Sequence, residues 1–175
     1  MLRTICVLLM LAGAAQANDR PSVAIFGGVL TDNDWQEVLW PPNVDFQEPG
    51  LVGFALSRPI GSVFEVEGQI VRHFGEQEVW EANALVTARL DVGRGPLDSL
   101  AFGLGPSITD VEPEFEIERD GGAQRFNIYW MAEAAFDGPG ETEIITRIHH
   151  RSNAFGLTGE FNGSNALVVG LRRQF

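Results

Sequence analysis

A chain whose side chains change character at every second residue, in segment after segment, has few folds open to it. From Pro21 onward this sequence does so in eight segments, roughly 22–31, 50–58, 62–73, 78–91, 98–109, 125–136, 142–152 and 165–175. A β-strand sends successive side chains to opposite faces, so each segment is predicted to be a two-faced strand. In the sixth, Phe126, Ile128, Trp130, Ala132, Ala134 and Phe136 alternate with Arg125, Asn127, Tyr129, Met131 and Glu133. In the third, Phe64, Val66 and Ile70 alternate with Glu65, Glu67 and Gln69. Helical spacing at i, i+3, i+4 and i+7 is not sustained anywhere, so the chain is predicted to be all-β.

The polar faces pool Glu65, Glu67, Gln69, Glu81, Asn83, Arg89, Glu133, Glu143, Arg147 and His149. A soluble sandwich exposes such a face, whereas an outer-membrane barrel encloses it and turns its apolar face to lipid. Three features favour the barrel. Long connections (32–49, 110–124, 153–164) alternate with short ones (59–61, 92–97, 137–141), with only 74–77 breaking the pattern, as in barrels with long external loops and short periplasmic turns. The short connections carry turn chemistry in Pro59-Ile60-Gly61, Gly93-Arg94-Gly95-Pro96 and Asp137-Gly138-Pro139-Gly140. The last strand closes on an aromatic residue, Phe175. The predicted fold is an eight-stranded antiparallel up-and-down transmembrane β-barrel, whose narrow polar lumen is filled by side chains.

The first residues agree with export. Arg3, a short apolar run and Ala15-Gln16-Ala17 have the layout of a signal peptide cleaved after Ala17, leaving residues 18–175 as the barrel domain. Cys6 lies inside that peptide, so the mature chain is expected to have no disulfide and no zinc–thiolate site. The 12 basic residues are all arginine and face 24 acids, a balance that argues against nucleic acid as a partner. The expected location is the cell outer membrane.

With both termini periplasmic, the seventh strand runs outward and ends in His150-Arg151-Ser152. The two-residue step puts His150 and Ser152 on the lipid-facing side, at the depth of the outer leaflet, and the parity of Asn165 brings it to the same side. A histidine that takes a serine proton is the minimum equipment for an activated oxygen nucleophile.

At His150-Arg151-Ser152-Asn153-Ala154 the sequence resembles the outer-membrane lipid A 3-O-deacylases of the PagL type, whose motif is His-x-Ser-Asn-(Ala/Gly). A second match is Asn162-Gly163-Ser164-Asn165, entering the last strand. The resemblance covers the last 30 or so residues closely and the mature chain loosely. It implies Ser152 as nucleophile, His150 as general base, the Asn153 region as oxyanion support, and lipid A of lipopolysaccharide as the ester substrate. No cofactor or metal is expected, and self-pairing as a homodimer is left open. The sequence departs from the family where an acidic residue is expected to orient the histidine: Asn165 stands there, and Glu160 in the same loop is the alternative.

Other residues have plainer readings. His149 is expected in the lumen as a partner of carboxylates, and Glu65, Glu67, Glu81 and Glu133 as a structural network with Arg89 and Arg147, rather than as a glycosidase pair. Glu67, Gln69, His73 and Glu81 contain metal-ligating types, though a metal is the weaker reading. Trp35 and Trp40 read as interfacial anchors, Arg72 as a phosphate contact, and Glu112, Glu114, Glu116 and Glu118 as an extension of strands above the membrane or a solvated run. A different class of function fits the same barrel, a non-catalytic structural or adhesive role carried by its external loops.

Overall fold

The computed structural model describes residues 20–33, 35–38, 44–159 and 163–175. The expected signal peptide, Trp40, Glu160 and Asn162 lie outside them, as does the side chain of Trp35. Eight antiparallel strands form a closed barrel in chain order: β1 (Ser22–Thr31), β2 (Phe46–Pro59), β3 (Phe64–Phe74), β4 (Trp80–Arg94), β5 (Leu97–Thr109), β6 (Phe126–Asp137), β7 (Thr142–Ser152) and β8 (Gly163–Gln174). The closure runs from Ser22 opposite Gln174 to Thr31 opposite Asn165, so no strand is left with an unpaired edge.

The alternation resolves as the barrel requires. Ile25, Phe54, Leu56, Val66, Ile70, Val86, Phe102, Leu104, Ile108 and Val169 are exposed on the outside, while Glu65, Glu67, Glu81, Arg89, Glu133 and Arg147 are buried within. Exposed aromatics ring both ends of the apolar band: Phe46, Phe74, Trp80 and Phe126 at the loop end, Phe64 and Phe175 at the turn end. Such girdles mark the two interfaces of a membrane barrel.

The lumen is a packed core of two kinds. On one side Ala24, Phe26, Leu30, Leu51, Ala55, Val71, Ala135, Ile145, Ala166 and Val168 form an apolar cluster. On the other, Arg147 pairs with Glu67 at 3.1 Å and Glu133 at 2.6 Å, and Arg89 pairs with Glu65 at 2.7 Å and Glu133 at 2.9 Å. Arg172 joins Glu143 and Glu133. Of the four carboxylates expected to be structural, Glu65, Glu67 and Glu133 are therefore neutralised by arginine, whereas Glu81 meets His73 and His149 instead. The halves meet where the Arg147 guanidinium lies 5.1 Å above the Phe26 ring. That ring lies across Gly53, where an added Cβ would come within 2.3 Å of it.

Two expectations need correction. Several strands are longer than the alternation indicated, β2 starting at Phe46 and β4 ending at Arg94, because barrel pairing continues through residues without a clear pattern. Residues 110–124 do not simply extend the strands: Glu114–Asp120 form a short helix, α2, that ends on Gly121 in the left-handed conformation. A second short helix, α1 (Trp35–Val38), lies between β1 and β2. A helix this short offers too few turns for its periodicity to be read. One acid of α2, Glu116, is fully buried and bonded to Arg151 and Ser164, which places α2 over the loop end of the lumen. Burial lifts the Glu116 carboxyl above its ordinary range, against the opposing pull of Arg151.

Candidate active site

The start of β1, the end of β8 and the short turns sit at one end of the barrel, so the end of β7 and the start of β8 fall at the other, among the long loops. There His150 pairs directly across the sheet with Asn165 on β8 and with Trp130 on β6. Antiparallel register alone thus brings three of the side chains singled out in the sequence, His150, Ser152 and Asn165, to one spot on the outer surface.

The three form a hydrogen-bonded relay. His150 Nε2 lies 2.8 Å from Ser152 Oγ, and His150 Nδ1 lies 2.6 Å from Asn165 Oδ1. Asn165 Nδ2 donates to the main-chain carbonyl of Asn33 at 2.8 Å. That last bond fixes the others. A carbonyl only accepts, so it holds the amide nitrogen toward Asn33 and the amide oxygen toward the imidazole. Facing an oxygen, Nδ1 carries the proton and donates it, which leaves the Nε2 lone pair to accept from the serine hydroxyl. The tautomer needed for proton abstraction is the one this chain of contacts selects.

Packing holds the ring in place. Trp130 stacks on His150 at 4.6 Å between centroids, and Phe102 stacks on Trp130 at 5.9 Å. Ser152 and His150 are half-buried, while Asn165 is buried at 7% exposure under the β1–β2 loop that supplies Asn33. Opposite Ser152 stands Gly163, where an added Cβ would lie 2.4 Å from the Arg151 carbonyl and 3.0 Å from Ser152 Cβ. Only a residue without a side chain leaves the serine unobstructed there.

Beyond the serine the backbone is strained. Ala154 and Phe155 take positive φ values of 48° and 61°, unusual for residues with a Cβ and costing about 1–3 kcal/mol each. The turn they form exposes Phe155 and Leu157 almost completely. Apolar side chains so placed, beside a site at the loop-end rim, suit the interfacial zone of a bilayer.

Not every expected residue joins the relay. The Asn153 side chain is buried, and its amide nitrogen donates to the Gly159 carbonyl at 3.4 Å. Glu160, the alternative orienting group, lies outside the described residues. His149 faces the lumen, as its parity predicts, and meets Glu81 at 3.1 Å. Arg72 is half-buried, paired with Glu78 at 2.8 Å and 5.5 Å from the centre of the Trp80 ring. Three contributors escaped the sequence reading. The Asn33 carbonyl carries no side-chain signal, Gly163 stood only within a loop motif, and Trp130 was assigned to lipid without its cross-strand partner.

Fold and surface together define an eight-stranded transmembrane barrel of the outer-membrane type, bearing a Ser-His-Asn relay on its outer wall. Comparison with solved structures agrees on the fold. A de novo designed transmembrane β-barrel superposes with a TM-score of 0.60 at 9% identity, over 93% of this chain and all of that one. Neisserial surface protein A (NspA) superposes with a TM-score of 0.51 at 11% identity, over 89% of this chain and 96% of that one. At such identities the likeness is one of architecture. No protein-family model matches the sequence, and no curated protein matches it.

Proposed function

We propose that this barrel is an outer-membrane serine esterase that removes an ester-linked acyl chain from a lipid of the outer leaflet. The observation that carries the reading is the relay Ser152–His150–Asn165, with its selected tautomer, on the lipid-facing wall at the loop end. In this reading Ser152 Oγ attacks the ester carbonyl while His150 Nε2 takes its proton, and the imidazolium then hands that proton to the departing alkoxide. Water repeats the cycle on the acyl-enzyme and frees the fatty acid. Main-chain N–H groups of the strained turn after Ser152 are the proposed donors to the oxyanion, since the Asn153 amide is engaged with Gly159. Phe155 and Leu157 would dip into the leaflet and bring acyl chains alongside. The resemblance of the His-x-Ser-Asn motif makes lipid A, deacylated at its 3-O position, the substrate to test first.

The test is mass spectrometry of lipid A from cells carrying the wild type, Ser152→Ala or no insert. The proposal expects one hydroxyacyl chain to be lost with the wild type alone. Identical spectra from all three, with the barrel folded in the membrane, would refute it. The second reading, a non-catalytic barrel, is favoured by one feature: an amide rather than a carboxylate behind His150, which cannot neutralise an imidazolium.

A further inference from the structure

Within the lumen, back to back with the surface relay, His73, Glu81 and His149 converge from β3, β4 and β7. Their ligand atoms all lie within 4.8 Å of one another and all three side chains are buried. We propose that this cluster is a binding site for a divalent transition-metal ion, with zinc as the representative, that ties opposite walls of the barrel together. It stands independently of the esterase reading.

The first argument is charge. Of the five buried glutamates among the described residues, Glu65, Glu67, Glu116 and Glu133 each pair with a buried arginine. Glu81 is the exception among the described ion pairs: its partners are His73 at 2.8 Å and His149 at 3.1 Å. The other four have a permanent cation, and this one has two imidazoles that are uncharged unless protonated. A metal ion held by both nitrogens supplies the missing positive charge.

The second argument is the outer shell. A ligating imidazole presents one nitrogen to the metal and donates its other N–H to an oxygen. Both Nε2 atoms point at Glu81, one at each carboxylate oxygen. Behind His73, Gln77 lies 3.1 Å from Nδ1 with its amide nitrogen forward, while its Oε1 is buried with no partner. Turning that amide over gives His73 Nδ1–H an acceptor and frees Nε2 as a ligand. His149 Nδ1 and Asn83 Oδ1 are buried and unpartnered as well. Asn83 Nδ2 at 2.7 Å and Ser107 Oγ at 3.3 Å already orient the Glu81 carboxylate. A tetrahedral site with bonds of about 2.0–2.1 Å needs ligand atoms about 3.4 Å apart, a spacing between the 2.8 and 3.1 Å His–Glu81 contacts, which would open a little, and the 4.8 Å bound on the cluster, which would close.

The donor set selects the ion. Two imidazoles and one carboxylate suit zinc or copper, whereas calcium and magnesium want oxygen alone. His149 reaches Glu81 across the lumen, since β7 is not a neighbour of either β3 or β4. A bound ion therefore cross-links walls that the sheet joins only the long way round.

The experiment uses the untagged, folded barrel in detergent, loaded with zinc, desalted and assayed for metal content. The proposal expects one zinc per barrel, removed by a chelator, and a higher temperature for loss of the compact folded band on gels when zinc is present. Glu81→Gln and His149→Gln should each weaken zinc retention at least tenfold. The sequence holds three histidines, so His150→Ala, which removes the imidazole outside the cluster, should retain the metal. No retained zinc, or equal retention in Glu81→Gln, overturns the proposal. Should the lumen variants fail to fold, zinc-edge X-ray absorption on the wild type and His150→Ala decides. Two imidazoles in the coordination shell of both support the site, and fewer in either overturns it.

Discussion

Replacing Asn165 by alanine isolates the step on which the catalytic reading turns. The change removes the acceptor 2.6 Å from His150 Nδ1 and the donor that binds the Asn33 carbonyl at 2.8 Å. Ser152, His150 and the Trp130 stack are untouched by it. The imidazole then has no reason to keep its proton on Nδ1, and the tautomer that points N–H at the serine becomes accessible. The cost combines a hydrogen bond, worth roughly 0.5–1.5 kcal/mol net, with a half-buried group left unsatisfied, roughly 1–3 kcal/mol. Taking about 1.5–3 kcal/mol for the barrier gives a fall of about 10- to 150-fold in kcat, with KM little changed. The expected loss is far smaller than the roughly 10⁴-fold seen when a triad carboxylate becomes an amide, because no carboxylate is lost here. The assay is hydrolysis of a chromogenic fatty-acid ester in mixed micelles, with Ser152→Ala as the zero. An Asn165→Ala enzyme within twofold of wild type, beside an inert Ser152→Ala, would refute the assignment of Asn165 as the group that orients His150.

Gly163→Ala should abolish activity and lower the unfolding temperature, since its Cβ meets the Arg151 carbonyl at 2.4 Å; esterase assay and heat-dependent gel mobility read the two effects. Arg147→Ala leaves Glu67 without its ion-pair partner inside the lumen, while Glu133 keeps Arg89 and Arg172, and should cost about 3–5 kcal/mol, seen as loss of the folded band at lower denaturant. The folded state raises the Glu116 carboxyl, so its contribution to docking of α2 is greatest in acid and is lost as pH rises through that raised value. Limited proteolysis of the 110–124 loop should accordingly quicken as the pH is raised above the ordinary carboxylate range, and Glu116→Gln should remove the trend.

What the sequence determined by itself was everything that depends on a period of two. Strand number, which face meets lipid, and the inward turn of His149 against the outward turn of His150 follow from alternation, because a strand leaves a side chain only two directions. The pairing of His150 with Ser152 was legible for the same reason, being local to one strand. What only the tertiary structure decided is register and closure. Asn165 is 15 residues from His150 in sequence, and its place opposite the imidazole depends on how β7 and β8 slide against each other. The hold of Asn33 on Asn165 spans 132 residues and uses a carbonyl, a group every position has and no sequence advertises. The lumen follows the same rule. Alternation sent Glu81, His73 and His149 inward, but only a closed cylinder brings β7 across to β3 and β4 and makes one cluster of them. The short helix α2 was hidden because its hold on the barrel comes from one buried carboxylate reaching Arg151 and Ser164, not from a helical stripe of its own.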